Sequence, residues 1–346
     1  MLLRRKALKW LGWPTPCQYL SHGSSGLSTG YLLLEDVQKE GIAILSDNWM
    51  AYYGESTKRR NLFHDLARIM LAIGRVPMPR IGSLTIDQSG YLQLNNRPLT
   101  MTLHQLENEG INTGIGRSDT FSSSIDYGMD LVNLHDQNLR DQPNAISSEG
   151  DGKLQMATFA CMRMLLPHFF SRSIRNGPFI FQLSDIHPSN LFVDQDWHIT
   201  SVIDLEYAAA LPREMEVAPY WLNPGQDLGD LGSHPEGFNA VHDEFTAIFR
   251  EEEHCQSEQL SPRAEAMRQA WETKAFFYQH SLNERIGCIY LFQFQVLPLF
   301  EPEFVLDPTF VRHIMPLWSI DGERALAQKT RDKDRYHQAV QELFEE

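Results

Sequence analysis

A short hairpin with polar side chains at its open end is the feature that most constrains how this chain folds. Residues 191–193 and 198–203 are two runs rich in apolar and β-branched side chains, and a polar turn separates them. The pattern predicts two antiparallel strands. Asn190 precedes the first strand and Asp204 follows the second, so we expect these two side chains to lie close together at one end of the hairpin.

The two residues at this end of the hairpin have the chemistry of a magnesium site. Paired strands lie about 5 Å apart, so the amide oxygen of Asn190 and the carboxylate of Asp204 can reach one Mg²⁺, which prefers oxygen ligands. Asp185 lies shortly before Asn190 and adds a second carboxylate. Each residue alone also has a structural explanation, since an Asn can cap a turn and an Asp can be buried. The combination favours a functional site.

Composition limits the class of protein. A chain of 346 residues with 42% hydrophobic content can bury a large core and should form one large domain or two coupled ones. The formal net charge of −15 argues against nucleic acid as a partner. The same charge is compatible with a cationic substrate, or it serves only to keep the protein in solution.

Cysteine spacing and hydropathy bear on the compartment. The four cysteines, Cys17, Cys161, Cys255 and Cys288, are scattered without paired spacing, which favours reduced thiols in an intracellular, cytoplasmic protein. No run of about 18 uncharged apolar residues is present, so we expect no membrane span. The first ten residues are basic and amphipathic, which suggests either a mitochondrial presequence or the end of a surface helix.

Periodicity along the chain predicts mainly helices with a few short strands. A second hairpin is predicted at 83–86 and 91–94, and a polar loop at 142–152. A helix apolar on nearly all sides should end or kink at Pro167. Strands are also expected at 17–20 and 30–34, joined by a loop that contains glycine. This loop is not a phosphate-binding loop, because no helix follows it and it has no Gly-Lys pair. The predicted helices are 4–11, 58–73, 120–141, 153–166, one that Ser261 caps, and the last segment of the chain.

The loop before the first hairpin carries a resemblance to a known family. Residues 185–190 read Asp-Ile-His-Pro-Ser-Asn, which is similar to the Asp-Leu-His-Pro-x-Asn catalytic loop of the aminoglycoside phosphotransferase and choline kinase group, relatives of the protein kinases. Phrases such as Asn-Asn-Arg-Pro-Leu at 95–99 and Gln-Pro-Asn-Ala at 142–145 resemble a fungal branch of that group. The likeness covers roughly residues 10–240.

The resemblance implies a fold and an activity. The fold would be α+β and protein kinase-like, with a predominantly helical large lobe that contains the catalytic hairpin. Asp185 would accept the proton of a small-molecule hydroxyl, and Asn190 and Asp204 would hold the Mg²⁺ that neutralises charge on the phosphates of ATP. Leu34, Glu35 and Val37 would bind adenine at the hinge between the lobes. The acceptor would be a small molecule, and a cationic one is compatible with the acidic chain.

The same resemblance implies a division of the chain into three parts. Residues 1–37 would be a remnant of the N-terminal lobe with the hinge. Residues 38–240 would form the large lobe with its catalytic and metal-binding loops, and residues 241–346 would be the C-terminal helical part of that lobe.

Two departures from the family pattern weaken the expectation of activity. The His that usually stands two positions before the catalytic Asp is Leu183 here. In kinases a Lys that binds the α- and β-phosphates pairs with a Glu, and both precede the hinge. No acidic residue precedes Glu35 in this chain, so that Lys-Glu pair cannot form before the hinge. The expectation is that the sequence begins inside the small lobe or that the lobe has been lost.

Two rival functions follow from the residues. A catalytically inactive pseudoenzyme would retain the large lobe as a binding or regulatory surface and would act through a protein partner. A metal-dependent hydrolase would use Asp185 and Asp204, but no further carboxylate ligands are in view for a two-metal site. Other candidate groups, His242-Asp243 with His254-Cys255 and His135-Asp136, are explained as polar positions on amphipathic helices.

Overall fold

The computed structural model describes residues 2–17, 36–37, 39–256, 263–285, 287–302 and 308–345, which form helices packed around small antiparallel sheets. This architecture confirms the expected α+β class. The helices are α1 (Leu2–Trp10), α2 (Trp49–Tyr52), α3 (Ser56–Ile73), α4 (Met101–Asn108), α5 (Ser124–Asp141), α6 (Glu149–Phe169), α7 (Leu228–Ser233), α8 (Glu236–Gln256), α9 (Arg263–Glu272), α10 (Ala275–Asn283), α11 (Cys288–Leu291), α12 (Pro308–Ile314) and α13 (Gly322–Glu345).

Every strand pairing in these ranges is antiparallel. One sheet has the order β1-β6-β7, a second has the order β2-β5-β8, and β3 pairs with β4 alone. The strands are β1 (Ala43–Ile44), β2 (Pro77–Met78), β3 (Ser83–Ile86), β4 (Leu92–Asn96), β5 (Phe179–Leu183), β6 (Leu191–Val193), β7 (Ile199–Val202) and β8 (Ala208–Leu211).

The two predicted hairpins are present. β6 pairs with β7 so that Leu191 lies opposite Val202, and the predicted second strand ends one residue early, at Val202. Trp197 has a φ of 63° in the connecting turn, a conformation that closes the chain reversal. The pairing of β3 with β4 confirms the second hairpin.

Two strands next to the first hairpin were not predicted. Neither β5 nor β8 is among the strands that the sequence predicts, yet the two pair from Ile180 opposite Leu211 to Leu183 opposite Ala208. β5 is a five-residue run with four apolar residues, too short for periodicity to separate strand from helix. Three of the four residues of β8 are Ala, a residue depleted in strands. Pairing with the neighbouring strand overrides both local preferences.

Helix α6 is buried on most sides, as predicted, but both of its ends differ from the prediction. It begins at Glu149, inside the predicted polar loop, because the Ser148 side chain accepts a 3.1 Å hydrogen bond from the Asp151 amide and caps the first turn. It also continues past Pro167 to Phe169. Apolar packing of α6 against α5, α12 and α13 therefore outweighs the hydrogen bond that Pro167 cannot make.

The remaining helix predictions are close to the observed bounds. α3 begins two residues before the predicted 58–73, and α5 begins at Ser124 instead of residue 120 because the Ser123 hydroxyl caps it. Helix α4 was not predicted. The predicted strand at 30–34, most of the predicted strand at 17–20 and the Ser261 cap lie outside the described residues.

A connected core joins the elements around the hairpin to the C-terminal helices. The buried cluster runs from Leu45 to Leu326, and α8 packs along α3 with the Phe63 and Phe245 rings in edge contact. All four cysteines are free thiols. Within the described ranges, no helix has the length and apolar character needed to cross a membrane.

Candidate functional site

The predicted site residues lie on two neighbouring loops. Each loop connects the β5–β8 strand pair to the β6–β7 strand pair. Residues 184–190 connect β5 to β6, and residues 203–207 connect β7 to β8. Leu183 lies opposite Ala208 and Leu191 lies opposite Val202, so each loop begins and ends next to the other. Local strand pairing alone therefore brings the two loops together.

The three residues predicted for the base and the metal lie in one place. Asp185, Asn190 and Asp204 line the same small depression, whose volume of about 10 Å³ is on the scale of a single water molecule. The predicted position of Asn190 and Asp204 at one end of the hairpin is confirmed by the 3.0 Å hydrogen bond from the Ile203 amide to the Asn190 carbonyl.

Asn190 is held so that one side-chain oxygen remains available. Its Nδ2 donates a 3.0 Å hydrogen bond to the Asp185 backbone carbonyl, and its Oδ1 accepts a 3.2 Å bond from the Ser189 hydroxyl. The residue is buried, with 8% of its surface exposed. An amide oxygen has two lone pairs, so Oδ1 can still accept one further ligand.

Asp204 occupies a less common backbone conformation. Its φ of 55° lies in the left-handed region, which Asp and Asn tolerate better than other non-glycine residues. The side chain is exposed at the depression. Non-glycine residues in this region are concentrated at functional sites, so the conformation is consistent with a role in the site.

The carboxyl group of Asp185 is biased towards the protonated form. Partial burial raises its pKa above the ordinary value of 3.8, and the nearby carboxylates of Glu206, Glu284 and Asp204 raise it further. A carboxylate with a raised pKa accepts a proton more readily than an ordinary Asp. Bound Mg²⁺ would oppose this shift by offsetting the negative charge.

Hydrogen bonds outside the family motif fix the loop that bears Asp185. The Trp221 indole Nε1 donates a 2.6 Å bond to the Ile186 carbonyl, and the Ser184 hydroxyl donates a 2.5 Å bond to the Tyr207 carbonyl. Leu183, at the position of the usual family His, is the last residue of β5 and is held by the strand ladder. These contacts brace the loop without that His.

His187 contributes little to holding this loop. It is exposed and makes a long contact, 3.4 Å from Nδ1 to the Ser189 hydroxyl. Its ring lies 6.3 Å from that of Trp221. The indole of Trp221 therefore provides the stronger brace.

A larger cleft of about 230 Å³ opens beside Asp185. The end of β5 and the 184–187 segment form one wall, and the 219–221 segment, the start of α4 and the end of α10 form the others. Its acidic residues are Asp185, Glu284 and Glu216, of which Glu216 is paired with Arg263. Among the described residues that line the cleft there is no Lys or Arg, so its potential favours neutral or cationic ligands.

The predicted adenine-binding residues are only partly described. Leu34 and Glu35 lie outside the described residues, and Val37 is half-buried. Val37 does not line the cleft or the small depression. The assignment of these residues to a hinge stays a prediction.

Two other candidate groups have structural explanations. His242 was expected on a solvated helix face, but it is buried and its ring stacks on Trp271 at 5.2 Å. His135 is also buried, and its Nε2 lies 3.1 Å from the Leu282 carbonyl.

Among the described residues, no three His, Cys, Asp or Glu side chains converge as a metal site. A Mg²⁺ bound as the resemblance implies, by Asn190, Asp204 and nucleotide phosphates, would need only two protein ligands.

Several residues of the cleft could not be selected from the sequence. Tyr220 and Trp221 lie in a sequence segment rich in Pro and aromatic residues that matches no motif. Gln279 and Glu284 also belong to no motif. They reach the cleft through packing of α10 beside the 213–222 segment, a contact between distant parts of the chain.

Comparison of the chain with protein-family models, with curated proteins and with solved structures found no match.

Proposed function

We propose that this chain is a phosphotransferase of the aminoglycoside phosphotransferase and choline kinase type, with a protein kinase-like fold, that transfers the γ-phosphoryl group of ATP to a hydroxyl of a small molecule. The observation that carries the proposal is that Asp185, Asn190 and Asp204 line one depression at the end of the β6–β7 hairpin. The residue types and their order along the chain match the base and the two metal ligands of that reaction.

In the proposed reaction, Asp185 is the base. The acceptor oxygen forms a bond to the γ-phosphorus, the bond from that phosphorus to the β–γ bridging oxygen breaks, and ADP leaves. The proton of the acceptor hydroxyl passes to the Asp185 carboxylate. The raised pKa of Asp185 supports this role because it increases the affinity of the carboxylate for a proton.

Asn190 and Asp204 are the proposed metal ligands. The free lone pair of Asn190 Oδ1 and the exposed carboxylate of Asp204 provide the hard oxygen donors that Mg²⁺ prefers. When bound, the ion would neutralise charge on the nucleotide phosphates.

The cleft beside Asp185 is the proposed acceptor pocket. Glu284 adds negative charge to it. Burial raises the pKa of Tyr220, and the nearby Glu284 and Asp185 carboxylates raise it further. An anionic acceptor would be repelled here, whereas a neutral or amine-bearing alcohol would not.

The test of this function is direct detection of a phosphorylated product. The full chain is incubated with Mg²⁺, ATP and a set of amino alcohols and aminocyclitols, and mass spectrometry identifies any phosphate ester. Product that forms with Mg²⁺ and disappears on chelation supports the proposal. ATP hydrolysis without any ester would support the hydrolase alternative instead.

A second candidate is a catalytically inactive pseudoenzyme that binds a partner or a ligand through the same surface. Leu183 at the usual His position favours it, as does the lack of Lys or Arg among the described residues lining the depression and the cleft. The two candidates differ in nucleotide binding. Mg²⁺ and ATP together should raise the melting temperature of the phosphotransferase by several degrees and should leave that of the pseudoenzyme unchanged.

A further inference from the structure

We infer that Gln279 selects the acceptor, through hydrogen bonds from its side-chain amide to a second hydroxyl of a neutral or cationic small molecule whose first hydroxyl faces Asp185. The inference rests on the proposed function, because it takes the cleft beside Asp185 as the acceptor pocket. It assigns a recognition residue and requires an acceptor with at least two hydroxyl groups.

The amide of Gln279 is buried without a partner. Gln279 lies on α10 and lines the cleft, and only 1% of its surface is exposed. Neither Nε2 nor Oε1 has a hydrogen-bond partner among the described residues. Most buried polar side chains are hydrogen bonded, since an unpaired one has lost its bonds to water without replacement. A buried amide at the edge of a cleft is therefore suited to bind a polar ligand group.

Two other buried polar side chains near Gln279 are hydrogen bonded. Gln293 is 6% exposed, and its Nε2 donates a 2.6 Å bond to the Thr158 hydroxyl. The Ser281 hydroxyl, two residues beyond Gln279, donates a 2.7 Å bond to the Phe277 carbonyl. Gln279 is therefore unpaired although these two polar side chains near it are hydrogen bonded, and unlike them it lines the cleft.

A second unpaired atom lies at the same cleft. His280 Nε2 is buried without a partner, while Nδ1 of that ring is 3.9 Å from the Glu284 carboxylate. The His280 ring meets the Tyr220 ring edge-on at 5.9 Å. The end of α10 therefore offers several polar atoms to one ligand.

The chemistry of these atoms defines the ligand class. An amide both donates and accepts, and a hydroxyl group does the same, so one hydroxyl can satisfy either end of Gln279. Asp185 and Glu284 disfavour phosphate or carboxylate at that position. An alcohol with a single hydroxyl would occupy Asp185 and leave the amide unpaired.

The experiment measures binding to the full chain by calorimetry, without ATP. The probes are ethanolamine, which has one hydroxyl, and two amines with more hydroxyls, serinol and 2-deoxystreptamine. The proteins are wild type, Gln279→Met, and Gln293→Met as the matched control with a paired amide. We expect wild type and Gln293→Met to bind the multi-hydroxyl probes about tenfold more tightly than ethanolamine, and Gln279→Met to lose that preference.

Stability of the ligand-free proteins separates recognition from a structural role. Gln279→Met should melt no lower than wild type because it removes an unpaired amide, whereas Gln293→Met should melt lower because it breaks a buried hydrogen bond. A marked loss of stability in Gln279→Met would contradict the inference. So would a preference for several hydroxyls that survives in Gln279→Met, or the absence of binding by every probe.

Phosphate transfer measured in parallel separates this inference from the proposed function. Transfer to serinol with the same KM in wild type and Gln279→Met would overturn the inference and support the function. Binding that depends on Gln279 in a protein that never transfers phosphate would support the recognition role and overturn the function.

Discussion

The side-chain amide of Asn190 donates a 3.0 Å hydrogen bond to the backbone carbonyl of Asp185. The bond links the backbone of the proposed base to the side chain of a proposed metal ligand. It also fixes the amide orientation, because Nδ2 faces the carbonyl and Oδ1 is left to accept. Because the acceptor is a backbone carbonyl, substitution of the Asp185 side chain should leave this bond and the orientation of the Asn190 amide unchanged.

Asp204→Asn should remove nucleotide-dependent stabilisation without unfolding the protein. Asp204 is exposed, and Asn tolerates the left-handed backbone of this position, so the fold should be unchanged. Loss of the carboxylate should weaken Mg²⁺ binding, and the rise in melting temperature with Mg²⁺ and ATP should fall to near zero. Asp196→Asn, at the far end of the same hairpin, is the control and should retain the full rise. An equal rise in both variants would rule out Asp204 as a ligand.

Trp221→Phe should lower kcat for phosphate transfer more than it changes KM. The variant removes the indole hydrogen bond to the Ile186 carbonyl, loosens the loop that bears Asp185, and should lower the free energy of unfolding by about 1–2 kcal/mol. Trp271→Phe is the matched control, since it loses an indole hydrogen bond to Asn239 and does not line the cleft. Steady-state kinetics that show the same kcat in both variants would contradict the bracing role.

Glu284→Gln should reduce the affinity for cationic acceptors and spare neutral ones. Glu284 lines the cleft and raises the pKa of Asp185, so its removal should also shift the acidic limb of activity to lower pH. The ratio of KM for an amino alcohol to KM for a matched neutral alcohol measures the first effect. Glu323→Gln, on the first turn of α13, serves as the control. An unchanged ratio in Glu284→Gln would show that this carboxylate does not contact the acceptor.

His135 should make the protein less stable in mild acid. Burial lowers its pKa from 6.5 to about 4, so the unfolded chain binds a proton at higher pH than the folded protein does. Its contribution to stability is complete above pH 6.5 and is lost as the pH falls towards 4, by on the order of 3 kcal/mol.

The check is chemical denaturation between pH 4 and 7.5. His135→Gln can still donate to the Leu282 carbonyl but does not titrate, so its stability should fall less steeply with acid than that of wild type. His337→Gln, at an exposed position on α13, should follow the wild-type curve. Parallel curves for His135→Gln and wild type would mean that His135 does not titrate as described.

The sequence predicted the local parts of the site well. Asn190 and Asp204 lie at the end of the β6–β7 hairpin because alternating strand residues and a polar turn determine that structure within a few residues. Asp185 joins them through a short loop. Such predictions succeed because all of the determining residues are close together in the chain.

The parts that the sequence missed depend on contacts between distant segments. β8 consists largely of Ala and becomes a strand only by pairing with β5. Gln279 and Glu284 line the cleft because α10 packs beside the 213–222 segment. Neither the 3.6-residue repeat of apolar side chains in a helix nor a motif identifies which helix face will border a cleft. These residues could therefore be identified only from the three-dimensional structure.

Asp185→Asn should remove phosphate transfer and should not destabilise the protein at neutral pH. The raised pKa of Asp185 means that its ionised form is disfavoured in the fold, so stability falls as the pH rises from 3.8 through the folded pKa. The Asn variant should therefore melt at or above the wild-type temperature at pH 7, and this advantage should vanish below pH 3.8. Thermal melts across that pH range check the prediction.

The most direct test of the central claim is a single-turnover measurement of γ-phosphoryl transfer with wild type and Asp185→Asn. Both proteins are loaded with Mg²⁺ and labelled ATP and mixed with an excess of an amino alcohol that wild type accepts. We predict that wild type forms labelled ester and that the variant binds Mg²⁺ and ATP but forms ester at least about 100-fold more slowly. Equal rates in the two proteins, or no ester from wild type with any acceptor, would contradict the claim that Asp185 is the base of a phosphotransferase.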